Sequence, residues 1–422
     1  MRNVVVTGMG LVTCLGLDRP SVSGRLRRLE HGIQRFQPFI DDPKVPISLA
    51  APIPGFQTEG GDPEDWTFPS SLKLRMEQIR SLSPNALYAH YALQQAVADA
   101  GLELEDIGNE RTGLFTASSG SAGMTYFHME RLKRVGPMRC SPLGIVASIA
   151  GTLNFNLSAM YKFQGASTGF VSACASSGHA MGYAWDSIAL GRQDRAVVVG
   201  AEDFTYETIV PFAGMRVLSP SEDPDTASRP FDARRDGFVG TGGSVVLVLE
   251  DEETALARKA PIYARMRGWS QTTDGYHIAA SHPDGDGLRR AIEDVLRTSG
   301  TEREAIDYIN AHATSTQAGD VSECRALKSV FGVGKGPRIS STKALTGHAL
   351  SLSSIMEAAF VLIGIRDGFT PGSAHISQLD AEAEGLNIIR ESVEEAPQLA
   401  LSNSSGFGGA NVCLLFEKPE CG

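Results

Sequence analysis

Short runs of consecutive apolar residues, each too brief for a helix, alternate along this 422-residue chain with stretches of helical spacing, and the alternation is completed twice. In the first series Val4 to Met9, Thr112 to Ala117, Ala196 to Ala201 and Ser244 to Leu249 read as buried strands. A helix is expected over Ser83 to Asp99, where Leu87, Tyr91, Leu93 and Val97 recur at its period. Gln57 to Asp65 and the Gly-rich run Ser118 to Gly123 read as loops, and Asp251-Glu-Glu closes the half. The second series predicts strands at Pro261 to Gly268, Ile306 to Ala311 and Arg338 to Ser341, and helices at Gly287 to Thr298, Val321 to Phe331 and Gly347 to Arg366. It ends in a hairpin, Leu399 to Asn403 with Asn411 to Phe416. Two related α/β units with helix-covered central sheets follow from this pattern.

Net charge is −11 and no run of Lys or Arg stands out, which argues against nucleic acid and anionic membrane as partners. Arg2 before Val4-Val-Val imitates a signal peptide, but Thr7, Gly8 and Gly10 interrupt the apolar run, and a buried first strand is the better reading. No apolar stretch has membrane-spanning length. The six cysteines (14, 140, 174, 324, 413 and 421) form no C-x-x-C pair and have no His at metal spacing. A reducing compartment, the cytoplasm by default, and no metal are expected.

Four segments carry chemistry. Gly169 to Ser172 is a β-capable run that hands over at Cys174 to a helix of small residues reaching about Leu190. A helix N-terminus favours thiolate, so Cys174 is expected to have a lowered pKa, with inert buried filler as the alternative. Gly178 and Gly182 leave the helix face beneath it bare for another backbone or a long thin ligand, and His179 points off that face as a buried structural residue. In Tyr308-Ile-Asn-Ala-His-Ala-Thr-Ser-Thr, a strand delivers His312 into a hydroxyl-rich loop, and Asp320 with Glu323 reads as a capping box starting the next helix. Ser341-Thr-Lys-Ala-Leu-Thr-Gly-His brings Lys343 and His348 to the start of a long apolar helix, whose positive end keeps His348 neutral; Glu357 is a candidate partner for Lys343. Asn403-Ser-Ser-Gly-Phe-Gly-Gly-Ala-Asn is a turn followed by a strand, the wrong order for a phosphate cradle; it suits either an oxyanion hole or a plain hairpin turn over Phe407.

Taken together, the Ala-Cys-small-Ser-Gly setting of Cys174, Asn310-Ala-His-Ala-Thr-Ser-Thr, Ser341-Thr-Lys-Ala-Leu-Thr-Gly-His and Gly406-Phe-Gly-Gly-Ala-Asn resemble the β-ketoacyl-acyl carrier protein synthases of the thiolase superfamily, in the elongating Cys-His-His form. The resemblance runs over essentially the whole chain. It implies a five-layered α-β-α-β-α fold with a thiolase-like half at 1–252 carrying the nucleophile, and a second at 253–422 carrying both histidines, the lysine and the gate turn. It also implies decarboxylative condensation of an acyl chain, held on Cys174, with malonyl-acyl carrier protein, in fatty-acid or specialised polyketide or polyene synthesis. His312 and His348 would serve that second step, and Lys343 with Glu357 would orient the site. The amides of Cys174 and Phe407 would form an oxyanion hole, with Phe407 also the gate. Thr314 and Thr316 would hold the phosphopantetheine arm. Lys73, Arg75, Arg80 and Arg216 would receive the acidic carrier. No cofactor is implied beyond the carrier's own arm, and the partner chain is a second copy or a diverged sister, paired through Gly165 to Val171.

Several positions depart from the family's pattern. Ser121 stands where a larger aliphatic residue often limits the acyl pocket, and Ala279 where a threonine is usual. Gly240-Thr-Gly-Gly-Ser, Leu350-Ser-Leu-Ser-Ser and Ser405 replace an acidic Gly-rich turn, a Gly-Ala-rich segment and a second gate phenylalanine. An unusual acyl chain or specialised pathway is therefore expected. Two rivals are a silent chain-length-factor-like subunit, which usually lacks the cysteine retained here, and a thiolase, whose second cysteine is matched by neither Cys413 nor Cys421.

Overall fold

The computed structural model describes residues 1–420, so Cys421 lies outside the described residues. Its first half contributes β1 (Val4–Val12), β2 (Thr112–Ala117), β3 (Ser167–Phe170), β4 (Arg195–Glu202) and β5 (Gly243–Asp251). Its second contributes β6 (Ala264–Thr273), β7 (Tyr308–Asn310), β8 (Arg338–Ser340), β9 (Leu399–Gly406) and β10 (Ala410–Glu417). The strands hydrogen-bond in the order β8-β7-β9-β10-β6-β1-β5-β4-β2-β3. β2 runs parallel to β3 and β4, and β5 antiparallel to β4 and β1. Raising each label by five gives the second half: β7 is parallel to β8 and β9, and β10 antiparallel to β9 and β6. The chain has built one unit twice.

Helices follow the same rule. α1 (Pro84–Asp99), α2 (Thr152–Tyr161) and α3 (Ser176–Ala189) occupy the intervals of the first half that α4 (Asp286–Ser299), α5 (Gln317–Phe331) and α6 (Ser353–Asp367) occupy in the second. Alternate residues of the strands enter different cores, because successive side chains point to opposite faces. Val245, Leu247 and Leu249 of β5 and Val412, Leu414 and Phe416 of β10 join a central core with α3 and α6. Val246 and Val248 turn out toward α1, and Cys413 and Leu415 toward α4 and α5. The result is five layers, α-β-α-β-α, with α3 packed on α6 in the middle.

Several elements differ from the sequence reading. Helices at Arg19–Arg28, Ala122–Val135 and Gly144–Ser148, and α2, form in stretches with no clean apolar period. The loop beginning at Ser118 ends at Ser121, whose hydroxyl accepts from the Met124 amide at 3.2 Å and caps the helix that follows. The expected helix over Gly347 to Arg366 is broken, because Gly347 and Leu350 have φ of +71° and +50°, outside the right-handed helical region. A short turn at Lys343–Thr346 precedes that break and α6 starts only at Ser353. Among the described residues no helix is long and apolar enough to cross a membrane.

The outer helix of the first half fits closely because β1 lacks side chains where α1 crosses it. A Cβ at Gly10 would lie 1.8 Å from the Ala92 carbonyl oxygen, and one at Gly8 2.3 Å from that of Ala96. Gly10→Ala must therefore push a helix backbone aside. It is expected to lower the unfolding free energy by about 1–3 kcal/mol or more, read as a fall in the urea midpoint with an unchanged slope.

Candidate active site

Cys174 sits in the connection from β3 to α3, two residues before the helix begins. Ala173 before it has φ of +52°, a left-handed conformation that costs a non-glycine residue about 1–2 kcal/mol. The end of β9 presses against this elbow: a Cβ at Gly406 would stand 2.7 Å from the Ser172 carbonyl oxygen and 3.0 Å from the Cys174 nitrogen. Only glycine allows that approach. Beneath the elbow, Gly178 makes room for Val412 and Ser354, and Gly182 for the Trp269 ring, which a Cβ would meet at 2.1 Å. Side chains fill the bare face, in place of the backbone or ligand expected. His179 is buried, with Nδ1 2.7 Å from the Ser172 hydroxyl.

His348 comes from the matching connection of the second half, between β8 and α6. Its Nε2 is 3.0 Å from Cys174 Sγ and its Nδ1 2.9 Å from the Ser353 hydroxyl. That hydroxyl can donate or accept, so it supports either imidazole tautomer. The ring packs edge-on against Phe238 at 5.2 Å and lies 5.3 Å from the His312 ring. The backbone holds it too: the His348 amide donates to Val239, and its carbonyl accepts from Thr241 in the Gly240 to Ser244 segment.

His312 follows β7, and its loop is pinned differently from expectation. α5 begins at Gln317, so Asp320 and Glu323 lie inside the helix and do not cap its start. Glu323 instead accepts the amides of His312 at 2.8 Å and Ala313 at 2.6 Å, together with the Asn403 side chain at 2.6 Å. Asp320 accepts the amides of Ser315 and Phe231 and pairs with Arg235 at 3.2 Å. Both carboxylates are buried and spend themselves on the loop before their own helix. Thr314 and Thr316, at the mouth of that loop, share a hydroxyl contact of 2.9 Å.

One donor atom from each of Cys174, His312 and His348 lies within 4.8 Å of the others. Below them, Lys343 and Glu357 form a buried ion pair. Burial holds both imidazoles well below their ordinary pKa, and the Lys343 charge lowers them further. Burial pushes Glu357 up to about 7 against the pull of Lys343. The Cys174 thiol is also pushed up, to about 12, by burial, with Lys343 opposing. This differs from the lowered thiol pKa expected from the sequence: Cys174 lies two residues before α3 begins, and burial outweighs the Lys343 charge.

Two cavities meet at the sulfur. One, of about 410 Å³, is lined by Cys174, His312, His348, Thr314, Thr316 and Phe407, among others. The other, of about 640 Å³, runs from Cys174 past Phe407 to Ser121 and Leu350. Phe407 and Phe212, 6.1 Å apart, belong to both walls and stand between them. Ala279 and Arg216 line the first cavity, while Lys73, Arg75 and Arg80 are exposed elsewhere, Arg80 paired with Glu64 at 2.6 Å. Ser405 donates to Asn411 at 2.7 Å. Phe212 and Phe238 carry no sequence signal, and Ser353 carries only its place in the departing Leu350 to Ser354 run.

A duplicated five-layer fold with an elbow cysteine facing two neutral imidazoles defines the thiolase-like condensing class. Residues 1–255 match the family profile "Beta-ketoacyl synthase, N-terminal domain" and residues 263–377 "Beta-ketoacyl synthase, C-terminal domain". The chain is 36% identical to 3-oxoacyl-[acyl-carrier-protein] synthase 1 of Haemophilus influenzae over 99% of both chains. Among solved structures, a β-ketoacyl synthase from Burkholderia phymatum superposes with a TM-score of 0.91 at 30% identity, covering 100% of each chain. The ishigamide ketosynthase/chain length factor superposes with 0.87 at 28%, covering 99% of each. The chain belongs to the β-ketoacyl synthase family.

A neutral resting thiol has a consequence in solution. Iodoacetamide alkylation of Cys174, followed by intact mass, is expected to accelerate about tenfold per pH unit through the range from about 6 to 10 without a plateau. A plateau near neutrality would mean that the thiolate is already formed.

Proposed function

We propose that the chain condenses an acyl group held on Cys174 with a malonyl unit delivered by acyl carrier protein, releasing carbon dioxide and a β-ketoacyl carrier. The observation that carries this reading is the sulfur placed at the junction of two cavities, with His348 on it and His312 beside it. In the first half-reaction Cys174 Sγ attacks the acyl thioester, its proton passing to His348 Nε2 while Nδ1–H donates to Ser353. The carrier's C–S bond breaks, and the departing sulfur takes that proton back. The acyl chain now lies in the larger cavity, and the carrier leaves.

Malonyl thioester then enters along Thr314 and Thr316. Losing carbon dioxide puts negative charge on its carbonyl oxygen, where neutral imidazoles of His312 and His348, the latter now in its Nε2–H tautomer with Nδ1 accepting from Ser353, donate hydrogen bonds without protonating the carbanion. The carbanion attacks the acyl carbonyl on Cys174, whose oxygen is received by the amides of Cys174 and Phe407; collapse breaks the C–S bond and frees the sulfur as thiolate, which takes up a proton from solvent to restore the thiol. Lys343, held by Glu357, helps keep the imidazoles neutral and orients the site. Phe407 and Phe212 gate passage between the cavities.

On this reading the active halves divide at 252/253, and the family frame extends to partners. The acidic carrier approaches Arg216 at the cavity mouth, with Lys73, Arg75 and Arg80 as the outlying part of its landing surface. A dimer forms through β3, an edge strand whose residues are largely exposed and which runs on into exposed Val171. The subunit is a second copy or a sister chain, the compartment is the cytoplasm, and no cofactor takes part beyond the carrier's arm.

Two variants separate the half-reactions. Cys174→Ala is expected to abolish acyl loading measured by intact mass. His312→Ala is expected to keep loading while decarboxylation of malonyl carrier and condensation fall by about 10²–10³. Loading that survives Cys174→Ala would sink the assignment.

A further inference from the structure

Glu202, the last residue of β4, is a carboxylate that the condensation steps leave unused. It is fully buried, and among the described residues its partners are hydroxyls and amides with no cation among them. Such a carboxylate is expensive to keep, since hydrogen bonds alone offset the dehydration of its charge. The bonds it makes reach across the molecule. One oxygen accepts from the Ser119 hydroxyl, in the loop after β2; the other accepts from the Ser351 hydroxyl and, at 3.3 Å, from the Ser351 amide. Ser119 belongs to the first half and Ser351 to the second.

The place of Ser351 gives that grip its consequence. It lies in the connection between β8 and α6, three residues after His348 and two before Ser353, whose hydroxyl meets His348 Nδ1 at 2.9 Å. Between His348 and Ser351 stands Leu350 with φ of +50°, a conformation that persists in a non-glycine residue when its surroundings impose it. On one side of Leu350 the His348 backbone is tied to Val239 and Thr241, and on the other the Ile355 amide donates to Ser177. Glu202 fastens the residue directly after the strain. It stands behind the wall that Ser119, Leu350 and Ser351 form with Cys174 around the larger cavity, so it acts through the residues it holds.

We infer that Glu202 is a positioning residue for the reaction: by holding Ser351 it fixes the connection that carries His348 and Ser353 together, and so keeps Nε2 of the imidazole on the Cys174 sulfur. Released, Leu350 relaxes toward ordinary backbone angles, and the ring and its hydroxyl partner separate. This rests on the synthase reading above and adds a residue that touches neither the acyl chain nor the carrier's arm.

Glu202→Gln keeps the shape but leaves one acceptor oxygen where the two serines use two. Loading of Cys174 from butyryl carrier thioester, followed by intact mass, is expected to slow about tenfold or more, and condensation to lose as much in kcat with the KM for malonyl carrier within about twofold. On a His348→Ala background the same substitution is expected to slow loading by less than about twofold, because nothing is left to position. Ser351→Ala, which frees the connection and leaves the carboxylate in place, should follow the same pattern and carries the test if Glu202→Gln fails to fold. A loss that persists in full without His348, a loss confined to KM, or no loss in either variant would overturn the positioning role, while loading of the unsubstituted chain upholds the synthase. An unsubstituted chain that loads no thioester would overturn both.

Discussion

The ladder at which β1 meets β6 joins the five strands of one half to the five of the other in one frame. Only Val4–Met266, Val5–Arg265 and Val6–Ala264 pair there, yet that short ladder lets α3 and α6 lie against each other between the halves. Since the halves share one topology, the connection before α3 and the connection before α6 arrive at the same place from opposite units. Cys174 is on the first and His348 on the second. The reacting pair is thus a product of the seam, and its 3.0 Å separation needs no flexible loop to be recruited.

Each connection carries strain of the same kind. Ala173 and Leu350 are both left-handed without being glycine, one beside the sulfur and the other just after the imidazole. Such conformations persist when surrounding structure over-determines them. Here Gly406 packs against the first elbow, and Glu202 anchors the second by accepting from the amide and hydroxyl of Ser351. Dry surroundings then set the chemistry: the same burial that keeps both rings uncharged also keeps the thiol protonated, so proton movement accompanies bond formation.

Much of the frame was legible because strands covered on both faces leave unbroken apolar runs. β2 was bounded to the residue, and α1 to within one. What stayed hidden was the stretch from 122 to 161, where Tyr126, Met129, Ile145, Ile149 and Phe155 remain exposed. Those side chains are not packed inside this chain, so no buried face imprints a helical period. The site's membership could be read from four motifs, but not its electrostatics. A sequence displays the helix that follows Cys174; it does not display the walls that the second half folds around the sulfur. Likewise Asp320 and Glu323 fit a capping pattern locally, and only the returning loop at His312 and Ser315 offers them different amides.

The seam also brings the start of the first strand near the end of the last. Arg265 on β6 pairs with Val5 on one side and with Glu417 on the other. The first and last strands are therefore separated by a single strand, roughly 10 Å. A short linker joining those ends, with the backbone opened in the exposed connection after β5, would reverse the order of the halves and leave every ladder intact. Covalent order is thus dispensable to this architecture: it is two units clasped at an edge, and circular permutation would keep the clasp.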